Sequence, residues 1–204
     1  MKKKELLKIL ELTTKCARNK QASASLIVPP SSSHDLEKST FINNSNLSTS
    51  ILNIQKRLVY KFNNRTFLLQ ALMRRSFILE SSGSSSLDGT AHQRLEFIGD
   101  RVLELAIARI QFINNPQDHE RELNDKLKYC VNNVTLATIA SNLELGKYLL
   151  IGKGEEINGV RENPKVLADT LEAIIGAIYL DSNENMKRIC KFVALHFKDY
   201  LRQV

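Results

Sequence analysis

Two short segments of the sequence carry pairs of carboxylates at helical spacing. Glu96 and Asp100 lie four positions apart, and Asp169 and Glu172 lie three apart. Either spacing places both side chains on one face of a helix. Such faces, with no His or Cys nearby, offer only oxygen ligands, which suit Mg²⁺ better than Zn²⁺. This pattern predicts metal-assisted attack of water on a phosphodiester, for which two ions about 3.5–4 Å apart are the usual device.

The surroundings of these acids favour a site over the alternative, a pair of solvated helix faces. Both segments, 93–105 and 167–181, are too apolar for surface helices, and Gly99 and Gly176 stand beside the acids. Glycine inside a helix costs about 1 kcal/mol relative to alanine, so it usually serves close packing. Four carboxylates on two closely packed helices would repel one another unless cations lay between them.

The remaining pattern predicts an all-α body that positions these two segments. Apolar spacing predicts two short helices between residues 52 and 72, around a turn at Asn63-Asn64. Loops are expected at 81–89 and at 152–154. The longer helices are predicted at about 92–113, 120–129, 133–144, 165–181 and 184–201.

The helix predicted at 133–144 has recognisable ends. Asn132 or Asn133 is the expected N-cap, and Gly146 is expected just past the C-terminus. Alternating patterns typical of β-strands are scarce along the whole chain. The expected fold class is therefore all-α.

The chain divides into three predicted regions. Residues 1–20 form a basic amphipathic segment, with seven Lys or Arg against two Glu. Residues 21–50 form a Ser/Asn-rich linker, and residues 51–204 form the catalytic domain. Because most of the net charge of +7 lies in the first segment, that segment is expected either to contact nucleic acid or to dock as a clamp on its own protein.

Composition excludes several classes of protein. No run approaches 18 uncharged apolar residues, so no membrane span is expected. Cys16, Cys130 and Cys190 follow no CxxC spacing, which excludes a cysteine zinc site. Three scattered cysteines also favour a reducing compartment, the nucleus or the cytoplasm.

The first acidic segment resembles a known family signature. Residues 94–100, RLEFIGD, resemble the RLEFLGD core of the ribonuclease III signature. Residues 66–76, 131–156 and 164–181 are similar to other family segments, in family order. The resemblance covers nearly all of 52–181 and implies the dimeric, helical ribonuclease III endonuclease domain.

The resemblance assigns roles to particular residues. It implies that Glu96, Asp100, Asp169 and Glu172 are the metal-binding catalytic carboxylates. Lys165 matches a lysine before the second acidic motif that could neutralise a phosphate, although it could equally be a solvated lysine at the helix start.

Phe97 matches an aromatic residue that fills a pocket on the partner subunit. Its helix position, roughly opposite the apolar stripe, also points it away from its own core. The alternative is a core phenylalanine in a helix that is buried on all sides. The resemblance therefore implies a homodimer in which Phe97 lies at the interface.

The activity implied by the resemblance is cleavage of double-stranded RNA. It would use Mg²⁺, with Mn²⁺ as a substitute, and would leave 5′-phosphate and 3′-hydroxyl ends with short 3′ overhangs. The alternative is a non-catalytic relative that binds structured RNA, although such members tend to lose metal ligands. A purely protein-binding helical domain would leave the clustered acids unexplained.

Three departures from the family pattern bear on these expectations. Gln93 stands where many members have Glu, and Arg74 replaces the usual His of the opening motif. No double-stranded-RNA-binding domain is recognisable before the chain ends at Val204, so the chain is either a minimal member or the catalytic portion of a longer protein.

Overall fold

The computed structural model describes residues 44–81 and 90–202, with side chains for 49–80 and 90–202. The predictions for 1–20, for the linker up to residue 43 and for most of the loop at 81–89 fall outside these ranges. Within them the fold is helical and has no β-strand, so the all-α prediction is confirmed. An isolated parallel bridge joins Met73 to Leu150.

Ten α-helices and two short 3₁₀ turns make up the described part of the chain. The helices are α1 (Asn44–Leu58), α2 (Arg65–Leu72), α3 (Arg75–Ser81), α4 (Ala91–Asn114), α5 (Glu120–Val131), α6 (Asn133–Asn142), α7 (Lys153–Ile157), α8 (Pro164–Asp181), α9 (Met186–His196) and α10 (Lys198–Arg202). The 3₁₀ turns are Leu145–Tyr148 and Val160–Glu162. Helices α4, α5, α6 and α8 lie within two residues of their predicted bounds.

Helix α8 lies at the centre of the core, packed chiefly against α4 and α6. Its predicted apolar side is buried as expected: Leu167, Leu171, Ile174, Ile175 and Ile178 are all inside. Two-thirds of the residues of α8 are buried. A helix surrounded in this way is fixed by packing on most sides, so the few polar side chains it carries are held firmly.

Helices α4 and α8 approach each other at two glycines. A Cβ atom at Gly99 would overlap the backbone carbonyl of Glu172, and one at Gly176 would overlap the carbonyl of Leu95. Only hydrogen fits at either position, so the predicted role of these glycines in close packing is confirmed. Since Gly99 and Glu172 are in direct backbone contact, the acids on both helices must lie near one another.

The ends of α8 are fixed by hydrogen bonds. At its start, the Asn163 side chain accepts from the backbone N–H groups of Lys165 at 3.0 Å and Val166 at 3.3 Å. At its end, Asp181 accepts from the Tyr60 hydroxyl at 2.7 Å and from the Asn64 backbone N–H at 2.7 Å. These bonds tie the turn between α1 and α2 to α8, and together they fix the axial position of the acids.

The structure corrects two expectations, one in the N-terminal part of the chain and one in the C-terminal part. The predicted linker, 21–50, extends too far, because α1 already begins at Asn44. The single helix predicted at 184–201 is two helices. Asn183 and Glu184 adopt left-handed conformations, Asn185 caps α9, and the fully buried Phe197 leaves helical geometry between α9 and α10.

Two further expectations fail in the middle of the chain. The loop predicted at 152–154 is partly helical, since α7 begins at Lys153. Its first N–H groups are satisfied from α3: Gly152 N–H donates to Ser76 Oγ at 3.0 Å and Lys153 N–H donates to Glu80 at 2.9 Å. Gly146 does not end α6, because Glu144 takes the left-handed position there.

Gly146 has a different role from the one predicted. A Cβ atom at this position would overlap the carbonyl oxygen of Arg161. The glycine is therefore required by the close approach of the two 3₁₀ turns, which the local sequence does not reveal.

Candidate functional site

Three carboxylates converge where α4 and α8 cross. Glu96, Asp169 and Glu172 each place one oxygen within 4.8 Å of an oxygen of the other two. All three side chains are partly buried. The arrangement joins one acid of the first predicted pair to both acids of the second, and it offers a cation only oxygen ligands.

The carboxylates of this cluster repel one another, which favours the binding of a cation. Burial is the largest cause that raises the pKa of Glu172 to about 8, and the charges of Asp100, Asp169 and Glu96 raise it further. Burial and the charge of Asp169 also raise the pKa of Glu96. At neutral pH a proton therefore resides on Glu172 when no metal is bound. A divalent cation would replace that proton and remove the repulsion.

Asp100 flanks the cluster and does not belong to the group of three. Its Oδ2 accepts a hydrogen bond from Arg101 Nη2 at 2.5 Å. Of the surrounding carboxylates, Asp100 makes the largest contribution to the raised pKa of Glu172. Asp100 is thus near enough to Glu172 for its charge to act on that carboxyl, and it is paired with Arg101.

Lys165 lies one turn before Asp169 on α8. Its Nζ donates to Asp169 Oδ1 at 3.0 Å and to Oδ2 at 3.1 Å. The Lys165 side chain is 72% exposed, whereas that of Asp169 is 15% exposed. The ammonium thus contacts the acidic cluster from the solvent side.

Phe97 points away from the subunit core, as its helix position predicts. It is 70% exposed, although the next residues on either side, Glu96 and Ile98, are partly buried. Leu105 and Phe112 on the same helix are exposed as well. An exposed aromatic ring one residue from the acidic cluster suits contact with another molecule.

Comparison with known proteins decides the family. A family model described as Ribonuclease-III-like matches residues 64–196, which include both acidic segments. The chain belongs to the ribonuclease III family.

Relatives named Ribonuclease 3 align with two-thirds to three-quarters of this chain. The protein of Desulforamulus reducens is 43% identical over 136 residues, which cover 66% of this chain and 54% of the relative. The protein of Clostridium beijerinckii is 39% identical over 150 residues, 74% of this chain and 62% of the relative. The matched region thus spans little more than half the length of these ribonucleases III.

Two solved structures have the same fold. Both are nuclease domains of ribonuclease III from Campylobacter jejuni, 32% identical to this chain with a TM-score of 0.65. The alignments cover 74% and 76% of this chain and 97% of each nuclease domain. One of these structures was described for structural flexibility in a region involved in dimer formation. The helical fold is therefore that of a ribonuclease III nuclease domain.

Arg74, where the ribonuclease III pattern usually has His, is held by an ion pair. Its Nη2 lies 3.2 Å from Glu155 Oε1, and the Ser76 hydroxyl donates to Glu155 Oε2 at 2.5 Å. The charge of Arg74 acts to lower the pKa of Glu96, against the larger effect of burial. The substitution thus places a fixed cation near the acidic cluster. Gln93, the other departure, is exposed.

His92 is a neighbour of the site that the sequence patterns missed. It lies one turn before Glu96 and is 3% exposed. Its Nδ1 lies 2.7 Å from the carbonyl oxygen of Ala71, which can only accept, so Nδ1 carries the hydrogen. His92 therefore ties α2 to the start of α4. Its i−4 spacing from Glu96 is the signal that could have found it.

Glu122, in the first turn of α5, has a structural role. Glu122 accepts a hydrogen bond from the His119 backbone N–H at 2.6 Å and completes a capping box. Neither Glu120 nor Glu122 belongs to the cluster formed by Glu96, Asp169 and Glu172.

Proposed function

We propose that this chain is a metal-dependent endoribonuclease that cleaves double-stranded RNA as a homodimer. The observation that carries the proposal is the convergence of Glu96, Asp169 and Glu172 at the crossing of α4 and α8. Membership of the ribonuclease III family and the names of the relatives support a nuclease. No helix in 44–81 or 90–202 is long and apolar enough to cross a membrane.

The residues at the crossing suit Mg²⁺, with Mn²⁺ as a substitute. Glu96, Asp169 and Glu172 would hold the ions, with Asp100 beside Glu172 as a further ligand. When bound, the ions supply Lewis-acid activation of water and of the phosphodiester. The raised pKa of Glu172 supports this fit, because the cluster is strained by repulsion that a divalent cation would relieve.

The side chains around the ions have separable tasks. Glu172 and Glu96 are held by the glycine contact between their helices, so their carboxylates are presented at a fixed distance. Lys165 balances the charge of Asp169, and its exposed ammonium would neutralise a phosphate at the edge of the cluster. The protein thus contributes mainly positioning and charge, as is usual for phosphoryl transfer.

The dimer would place two such sites in one valley, one from each subunit. Phe97 is proposed to pack into the partner subunit, since its own subunit leaves it exposed. Two sites related by a two-fold axis, acting on opposite strands across a minor groove, would make staggered cuts. The expected products have 5′-phosphate and 3′-hydroxyl ends and short 3′ overhangs. Recognition would depend on the shape of the A-form duplex more than on its sequence.

A cleavage assay tests the proposal. Long duplex RNA incubated with the protein should be cut with Mg²⁺ and left intact with EDTA, and single-stranded RNA of the same sequence should be cut poorly. Binding of the duplex without any cleavage in Mg²⁺ or Mn²⁺ would favour the alternative, a non-catalytic RNA-binding member of the family.

A further inference from the structure

The positive charge of the described residues is concentrated at the C-terminal end. Residues 44–81 and 90–202 contain 21 Lys or Arg and 17 Asp or Glu, a net charge of +4. Residues 186–202, which form α9 and α10, contain five Lys or Arg and one acid, Asp199, also a net +4. The rest of the described body is therefore electrically balanced, and the excess lies on these two helices.

Four cations in this part of the fold share one region of surface. Lys187 and Lys191 lie on one face of α9, with Cys190 between them at helical spacing. Arg109 of α4 reaches the same face, because its Nη1 lies 3.9 Å from Cys190 Sγ. Arg188, next to Lys187, is exposed as well. We refer to Arg109, Lys187, Arg188 and Lys191 as the basic surface.

The four cations of the basic surface have no carboxylate partner among the residues that the structure describes, unlike several cations elsewhere in the fold. Elsewhere, Arg101 pairs with Asp100 and Glu104, Lys147 pairs with Glu144, and Lys165 pairs with Asp169. Unpaired exposed cations keep their full attraction for an anionic partner.

We infer that the basic surface binds the phosphate backbone of duplex RNA, which is the substrate class of the proposed function. Arg109 follows Glu96 by thirteen positions on α4, which is about 20 Å along a helix. The basic surface therefore lies well apart from the acidic cluster, and it would hold a stretch of RNA that is not being cut. It supplies the general attraction to RNA that the acidic crossing of α4 and α8 lacks.

An anionic membrane fits the basic surface less well than RNA does. A helix that binds at a membrane interface inserts its apolar face. The apolar side chains Ile189, Phe192 and Val193 of α9 are buried within the subunit, so they cannot insert. Leu195, one turn after Lys191, is 52% exposed, but a single leucine does not form the apolar face that membrane binding needs.

Charge removal tests the basic surface. The variant Lys187→Gln/Lys191→Gln is compared with the matched variant Arg121→Gln/Lys128→Gln, which changes two exposed cations on α5. Both carry Glu172→Gln as well, so that the RNA is not cleaved when Mg²⁺ is present. Binding of a long RNA duplex is measured between 50 and 200 mM salt. If both lysines contact phosphates, the slope of log affinity against log salt falls by roughly two, so the affinity ratio between these salt concentrations shrinks about tenfold. The matched variant should keep the parental slope.

The outcomes separate this inference from the proposed function. If the parental protein binds and both double variants bind alike, the basic surface is wrong and the proposed function stands. If the parental protein fails to bind duplex RNA even at 50 mM salt, both fall together. Binding to vesicles of anionic lipid that is lost in Lys187→Gln/Lys191→Gln, with RNA binding unchanged, would also overturn the inference.

Cys190 offers a second measurement without any change to the lysines. Cys190 is partly exposed within the basic surface, whereas Cys130 is buried. In a Cys16→Ser variant, Cys190 is therefore the more accessible of the two thiols that the structure describes. Duplex RNA bound to the basic surface should slow alkylation of Cys190 by a maleimide several-fold. An alkylation rate that saturating RNA leaves unchanged would contradict the inference.

Discussion

The acidic crossing of α4 and α8 and the basic surface on α9 show two opposite ways of placing charge. At the crossing, backbone contact at Gly99 and Gly176 forces carboxylates together in a partly buried place, and the pKa of Glu172 rises to about 8. On α9, the lysines are exposed at ordinary helical spacing, so they are not forced close to one another. The carboxylates at the crossing lower stability, so they require a rigid scaffold and a specific cation. The exposed lysines of α9 require only an anionic partner.

The largest expected effect is on catalysis. Glu172→Gln should lower the rate of duplex RNA cleavage in Mg²⁺ by at least about 1,000-fold, because several kcal/mol of charge stabilisation depends on its carboxylate. The fold should survive, since glutamine resembles the protonated glutamate that the metal-free protein already holds at neutral pH. Initial rates and circular dichroism measure the two parts. Cleavage at the parental rate would remove Glu172 from the mechanism.

The next effect is on the scaffold. Gly99→Ala should destabilise the protein by about 3 kcal/mol, because the added Cβ overlaps the carbonyl of Glu172 on a neighbouring buried helix. Gly154→Ala is the matched control: a Cβ there meets nothing within 4 Å, and the residue lies in the short helix α7. Urea unfolding midpoints compare the two. Equal stabilities of the Gly99→Ala and Gly154→Ala variants would mean that α4 and α8 can lie further apart than the structure has them.

A smaller effect is expected at the exposed aromatic residue beside the cluster. Phe97→Ala should weaken a dimer by about 2 kcal/mol, or roughly 30-fold in the dissociation constant, if the ring fills a pocket on the partner. Sedimentation at several concentrations measures the shift towards monomer. Val134→Ala, which removes another exposed apolar side chain, serves as the control. A parental protein that is monomeric at micromolar concentration and still cuts both strands would contradict the dimer.

The smallest effect is on the pH dependence of stability without metal. The pKa of Glu172 is higher in the folded protein than in the unfolded chain. The contribution of Glu172 to the free energy of unfolding is therefore complete at pH below the unfolded pKa and is lost as pH rises to about 8. In EDTA the free energy of unfolding should fall between pH 5 and 8.5 by on the order of 1 kcal/mol more than in Glu172→Gln, after allowance for partial exposure. Asp125→Asn, a change at an exposed acid on α5, should keep the parental pH dependence.

The acidic crossing was largely predictable from sequence. The i, i+4 and i, i+3 spacings of the acids predict shared helix faces, and glycines beside them predict the close approach that the structure has. The position of Asp100 beside the group of three was not predictable. It depends on the crossing geometry of the two helices and on the neighbouring Arg101, which spacing within one helix does not specify.

The supporting contacts around the site depend on residues far apart in the chain. Arg74 and Ser76 bind Glu155, which lies about 80 positions later in the chain. Ser76 and Glu80 accept hydrogen bonds from the backbone N–H groups of Gly152 and Lys153 at the start of α7. No local period or cap motif signals such bonds, so the sequence predicts a loop where α7 begins. The same applies to His92, whose partner is a backbone carbonyl on α2.

Direct measurement of metal binding tests the central claim that the crossing of α4 and α8 is a metal centre. Calorimetric titration of the protein with Mn²⁺ at pH 7 should show binding accompanied by proton release, because Glu172 must lose its proton to bind the ion. Glu172→Gln should bind Mn²⁺ at least about tenfold more weakly and release fewer protons. Equal affinity and equal proton release in the two proteins would contradict the account.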